Sequence, residues 1–188
     1  RLGYILFYNF ESYLANPLGI LKVWQGGMSF HGGALGMSLA LAWYARASKR
    51  PFLELADFLV PVIPIGLGLG RLANFVNQEL WGAPTALPWG VVFTNPAAGG
   101  VARHPSQIYE ALLEGLLLFV ILNLVARRPR PTGMLLGLFL LFYGLFRFAV
   151  EFVREPDAHI GYLAFDWFTM GQLLSLPMVI IGLVLIIA

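Results

Sequence analysis

No cysteine occurs anywhere in the 188 residues. That single absence excludes a disulfide scaffold, thiolate metal ligands and a cysteine nucleophile together, although it does not reveal the compartment. Charge is scarce as well, at 12% of residues with a formal net charge of +2. The few charges are positioned rather than massed, so there is no basic face and nucleic acid is not an expected partner. No serine stands between glycines in a nucleophile elbow, so the His31-Gly32-Gly33 run does not make a serine hydrolase. The three histidines, at 31, 104 and 159, lack helical ligand spacing, and neither a metal nor a cofactor is expected. No internal repeat of the kind that builds transporters is visible.

Apolar residues are abundant instead. They make up 59% of the chain, against about 45–50% in soluble domains, and the mean hydropathy is +0.75. This composition predicts an all-α, multi-pass transmembrane helical bundle with a polar site at its outer face and a small periplasmic loop region. A bilayer core needs roughly 20 residues of helix. Spans are predicted at Phe30 to Tyr44, Phe52 to Phe75, Ile108 to Val125, Gly133 to Val153 and Met170 to Ala188, after the tail of an earlier one at Arg1 to Phe10. The apolar stretch already under way at Arg1 reads as the later part of a longer polypeptide.

Two short connections are basic, one holding Arg46, Lys49 and Arg50 and the other Arg127, Arg128 and Arg130. The positive-inside rule places both in the cytoplasm. Alternation then sends Glu11 to Ser29, Gln78 to His104 and Arg154 to Phe168 outward, so that His31, Arg71, Asn74, Asn77, Glu79, Arg103, His104, Glu110, Arg147, Glu151 and Arg154 gather at the outer ends of spans. Trp24, Trp81, Trp89 and Trp167 fall in the same connections, at headgroup level.

Arg71 lies near the top of the second span. A guanidinium at membrane depth keeps its charge and needs an anion. That anion is either a carboxylate, with Glu79 and Glu151 the candidates, or a phosphate, which the planar fork of donors matches. Below Arg71 stand Pro61, Pro64, Gly66, Gly68 and Gly70, which predict a kinked or broken helix; the glycines also fit close helix packing. In the fourth span Tyr143, Arg147, Glu151 and Arg154 share one face. Arg147 with Glu151 reads as a simple i,i+4 pair or as part of a site. At roughly 1.5 Å per residue from Gly133, Arg147 reaches about 21 Å up, near the level of Arg71. Two arginines at one depth suit a lipid phosphodiester.

His31 is open to a structural role or to general-base catalysis, since neighbouring cations keep an imidazole neutral. His104 and Ser106 are read as helix caps beside Pro105. Glu110 and Glu114 continue one helical face into the membrane and need partners, which either arginine can supply.

Taken together, Gly26-Gly27-Met28-Ser29-Phe30-His31-Gly32-Gly33, the run from Gly70-Arg71 through Asn74, Asn77-Gln78-Glu79 to Gly82, Arg103-His104-Pro105-Ser106-Gln107-Ile108-Tyr109-Glu110 and Tyr143-Gly144-Leu145-Phe146-Arg147 resemble the prolipoprotein diacylglyceryl transferase family across nearly the whole chain. The resemblance implies a bacterial inner-membrane enzyme that moves diacylglycerol from phosphatidylglycerol to the lipobox cysteine of a preprolipoprotein and releases glycerol phosphate. It places lipid binding or turnover on Arg71, Asn74, Glu79 and Gly82, the family's histidine on His31, and its second arginine on Arg147 with Tyr143 one turn below. Asn77 and Glu151 support them. The family's N-terminal spans, with their tyrosine, lie outside this sequence, and residues 1–188 are expected to form one membrane-embedded transferase domain. Gln78 and Ala73 stand where many members carry glycine. The competing readings are a transporter and a non-catalytic binding protein for an anionic lipid or solute.

Overall fold

The computed structural model describes residues 30–155 and 167–187. The first apolar tail, Trp24, the glycines before His31, and His159 lie outside the described residues.

Five helices carry the described chain: α1 (Phe30–Ser48), α2 (Phe52–Val76), α3 (Ser106–Ala126), α4 (Met134–Val150) and α5 (Met170–Ile187). Their order and positions follow the predicted spans closely. Among the described residues α2, α3 and α5 are long and apolar enough to cross a bilayer, and α4 is apolar but only 17 residues long. The chain is an all-α, multi-pass membrane protein. Contacts divide it into two compact units, residues 1–55 and 56–188.

In the first unit α1 runs four residues beyond its predicted end and takes Arg46 into its last turn. It is not among the described helices that are long and apolar enough to span. Its terminus is closed by a Schellman motif. The Lys49 N–H donates to the Arg46 carbonyl at 3.3 Å and the Arg50 N–H to the Ala45 carbonyl at 3.0 Å. Lys49 holds the left-handed position, at φ 54°, and Pro51 ends the run. The cations at this end complement the helix dipole.

In the second unit the prolines of α2 act as predicted. A 3-10 turn at Val60–Val62 interrupts the helix, which resumes at Ile63–Val76. Two polar contacts lie at or near this break. Asn123 of α3 donates to the Pro61 carbonyl at 3.2 Å. Asp57, buried within the apolar stretch, accepts from the backbone N–H groups of Gly133 at 2.8 Å and Leu136 at 2.9 Å. One helix therefore caps the N-terminus of another, where a carboxylate is favoured by both unpaired donors and the dipole. Replacing Asp57 by Ala orphans two N–H groups and is expected to cost about 2 kcal/mol, read as a lower thermal unfolding midpoint in detergent.

Small residues set the helix approaches. Of the three glycines below Arg71, only Gly68 has a described neighbour at packing distance: a Cβ there would sit 3.2 Å from the Gly115 Cα, while Gly66 and Gly70 meet nothing within 4 Å. In return, a Cβ at Gly115 would lie 2.7 Å from the Gly68 Cα. Between α4 and α5 a Cβ at Gly182 would fall 2.6 Å from the Leu141 amide, so these backbones also touch. Val60, Leu118, Leu122 and Leu135 form the buried core, with Phe139, Phe142, Tyr143 and Phe146 packed against it. At the start of α5, Thr169 and Gln172 exchange a capping box, their side chains accepting from each other's amides at 3.3 and 3.0 Å.

The connection between α2 and α3 adds what hydropathy did not predict, a two-stranded antiparallel pair, β1 (Val91–Val92) and β2 (Ala102–Arg103).

Candidate active site

α3 is not a plain α-helix. Its first five residues, Ser106–Glu110, lead into a π-helical stretch, Ala111–Leu117, before regular winding resumes. Widened turns of this kind are frequent at functional sites. Here the stretch begins directly after Glu110, contains Glu114, and places Gly115 against Gly68.

Glu110 is the hub. Its Oε2 lies 3.0 Å from Arg71 Nε, and its Oε1 pairs with Arg147 Nη1. Two guanidiniums from two helices thus meet on one carboxylate that is 1% exposed, while Arg71 and Arg147 keep 19% and 13% of their side-chain surface open. The cluster extends on both sides. Arg71 Nη2 stands 3.7 Å from Glu114 Oε2, and Glu151 Oε2 stands 2.9 Å from Arg147 Nη2 and 3.9 Å from Arg154 Nη1. Arg71 Nη1 and Arg147 Nε enter none of these pairs.

This selects among the carboxylates that the sequence offered. Arg71 pairs with neither Glu79 nor Glu151 but with Glu110 and Glu114, because α3 packs beside α2 through Gly68 and Gly115 and presents both acids to it. Glu79 is held by amides instead, accepting from Asn74 Nδ2 at 2.8 Å and Asn77 Nδ2 at 3.4 Å.

The turn that follows is strained and heavily braced. Gln78 and Leu80 both have positive φ, 54° and 57°. A glycine adopts that conformation freely. Gln78 has no such freedom, and its side chain is tied across the loop: Oε1 accepts from the Asn95 N–H at 2.9 Å and Thr94 Oγ1 at 3.0 Å. Of the expected caps at the start of α3, Ser106 serves this turn instead. Ser106 does not cap its own helix; its hydroxyl donates to the Leu80 carbonyl at 3.1 Å, and Gln107 Nε2 donates to the Glu79 carbonyl at 2.7 Å. Pro105 takes the N-cap position without a side-chain bond. His104 does not cap either. Its Nδ1 lies 3.3 Å from the Tyr109 hydroxyl, which accepts from Trp89 Nε1 at 2.8 Å, and all three line an apolar cleft of about 450 Å³ with Leu113 and Val150.

Gly82 is a backbone joint. Its N–H donates to the His104 carbonyl at 2.9 Å, it bridges to Arg154, and a Cβ would stand 2.6 Å from both the Val153 oxygen and the His104 Cβ. Buried Arg103 fastens the same joint, donating to the carbonyls of Ala98 at 2.7 Å and Gly82 at 3.2 Å and pairing with Glu155. Tyr143 stacks on Phe139 at 5.6 Å, one turn below Arg147. His31 stands in the first turn of α1, and its side chain lies outside the described groups.

Comparison with known proteins supplies the class. A family model described as prolipoprotein diacylglyceryl transferase matches residues 1–188. The chain belongs to the prolipoprotein diacylglyceryl transferase family. It is 58% identical to the phosphatidylglycerol–prolipoprotein diacylglyceryl transferase of Pseudomonas syringae pv. syringae, over 99% of this chain and 69% of that protein. The proteins of the same name from Pseudomonas putida and Pseudomonas paraeruginosa are 57% and 56% identical, each with 70% of its length covered. None of these names is that of a transporter, and the chain is an enzyme of the transferase class. In this chain Arg71, Asn74, Glu79, Gly82, Tyr143, Arg147 and Glu151 all fall in the second unit. The sequence flagged Glu110 and Glu114 as acids in need of partners, but Glu110 as the hub, Asp57 as a cap and Ser106 with Gln107 as a brace were missed. Their signal was present: each is a polar residue that an apolar helix tolerates only when its bonds are satisfied.

Proposed function

We propose that this chain transfers the diacylglyceryl group of phosphatidylglycerol to the lipobox cysteine thiol of a preprolipoprotein, forming a thioether and releasing glycerol phosphate. The observation that carries the reading is the convergence of Arg71 and Arg147 on Glu110, which places two partly open guanidiniums side by side. In the reaction the thiolate sulfur bonds to the glycerol carbon as the bond from that carbon to the phosphate oxygen breaks. The electron pair leaves with the phosphate, so negative charge grows on the leaving group. Preorganised cations in a desolvated site stabilise that growth.

Each residue has a place in this scheme. Arg71 and Arg147 hold the phosphate through donors outside their ion pairs. Asn74 and Glu79, with Asn77 in support, orient the headgroup from the braced turn. Gly82 fixes that turn, Tyr143 lies beneath Arg147, and Glu151 balances its charge. His31 takes the thiol proton, an assignment that rests on its motif and the family likeness. The nucleophile comes from the partner protein. Residues 1–188 act as one membrane-embedded transferase domain in the bacterial cytoplasmic membrane among its lipids, with the site toward the periplasm, as the basic connections indicate.

Incubation with labelled phosphatidylglycerol and a lipobox peptide tests the reading. Label in a thioether on the peptide supports it, and binding without transfer supports a non-catalytic lipid binder. Replacing His31 by Gln is expected to lower turnover about a hundredfold with little change in lipid affinity; full activity moves the base elsewhere.

A further inference from the structure

Among the described residues the cluster holds three guanidiniums, Arg71, Arg147 and Arg154, and three carboxylates, Glu110, Glu114 and Glu151, joined by five ion pairs. Their formal charges cancel. A phosphodiester that settles against Arg71 and Arg147 brings one further negative charge into a place already short of water, and a buried uncompensated charge is strongly disfavoured.

The three acids are not equally supported. Glu110 is bridged by two guanidiniums, and Glu151 has one at 2.9 Å and another at 3.9 Å. Glu114 is fully buried, and its one close cation, Arg71 Nη2, stands at 3.7 Å, beyond hydrogen-bond reach. Among the described residues neither of its oxygens accepts a hydrogen bond. The groups that face it are Arg71 from α2, Glu110 on its own helix, Tyr143 and Arg147 from α4, and Arg154 just beyond α4. One of these is itself an acid competing for the same arginine.

We propose that Glu114 takes up one proton when a phosphodiester anion meets Arg71 and Arg147, so that the loaded cluster stays neutral. The inference rests on the phosphatidylglycerol reading above and names a group that reading leaves unused. Glu114 is a charge-balancing residue: it acts on the ligand through the arginines.

The bound state then carries one more proton than the free state, and linkage requires affinity to fall as pH rises, by up to tenfold per unit. The test is calorimetric titration of the full chain in detergent with a short-chain phosphatidylglycerol, at one pH in two buffers of different ionisation enthalpy. Uptake of about one proton is expected, together with a new carbonyl band of a protonated carboxylic acid in the infrared difference spectrum. Glu114→Gln is expected to abolish the uptake and the band and to bind with an affinity independent of pH. Binding without proton uptake, uptake without the carboxylic acid band, or uptake that persists in Glu114→Gln each overturns the proposal. If that variant does not fold, the wild-type proton count and infrared band still decide against it when either is missing. No binding of phosphatidylglycerol by the wild type at any pH is a different outcome, which removes the functional reading itself.

Discussion

Arg71→Lys is expected to fold and to lose about 10²–10³-fold in transfer of lipid to the peptide. The charge survives this substitution, but the geometry does not. Arg71 engages Glu110 through Nε and Glu114 through Nη2 while a third nitrogen stays outside both pairs. A lysine ammonium is a single compact centre that cannot serve two carboxylates and a phosphate in fixed directions. Loss of one preorganised donor at a developing oxyanion costs about 3–4 kcal/mol in comparable sites, which corresponds to the stated factor. The measurement is initial rate with labelled phosphatidylglycerol, paired with a thermal melt that shows the fold intact. Turnover close to wild type in Arg71→Lys would remove Arg71 from the phosphate.

Glu110→Gln is expected to damage stability before it damages chemistry. The carboxylate is 1% exposed and is shared by Arg71 and Arg147, so its neutralisation leaves two largely buried guanidiniums competing for Glu114 and Glu151. Breaking a buried ion pair from one side costs about 3–5 kcal/mol. Added salt is expected to restore little, because screening acts weakly on a site that solvent barely enters. Chemical or thermal unfolding in detergent reads the loss. A change of less than about 1 kcal/mol would mean that Glu110 is not the principal counter-ion seen here.

Both predictions depend on a pairing that was only partly legible along the chain. Hydropathy located the helices, since a span is a local property of about 20 consecutive residues, and the observed boundaries lie within a few residues of the predicted ones. It also marked Arg71 and the Arg147 stripe, because a charge in an apolar helix is conspicuous wherever it falls. The choice of partner is different. Glu79 and Glu151 were candidates for Arg71, and Glu110 and Glu114 were left open to either arginine; the acids that reach Arg71 are the pair on α3, admitted by the contact of Gly68 with Gly115. Ser106 and His104 looked like caps because they flank a helix start, but Ser106 donates to the Leu80 carbonyl, brought there by the fold of the loop, and His104 meets Tyr109 in the first turns of α3. Asp57 drew no notice, since its partners at Gly133 and Leu136 lie 76 and 79 residues away.

The amino-acid sequence by itself determined that this is a membrane protein, where its helices run, and which charges are too costly to sit in lipid without a purpose. Each of those follows from local composition and the bilayer's thickness. Only the tertiary structure decided which charges meet. Ion pairing between helices depends on how closely two backbones approach and at what relative height, and both were set by single glycines and a π-helical turn whose effect appears only once the helices are side by side.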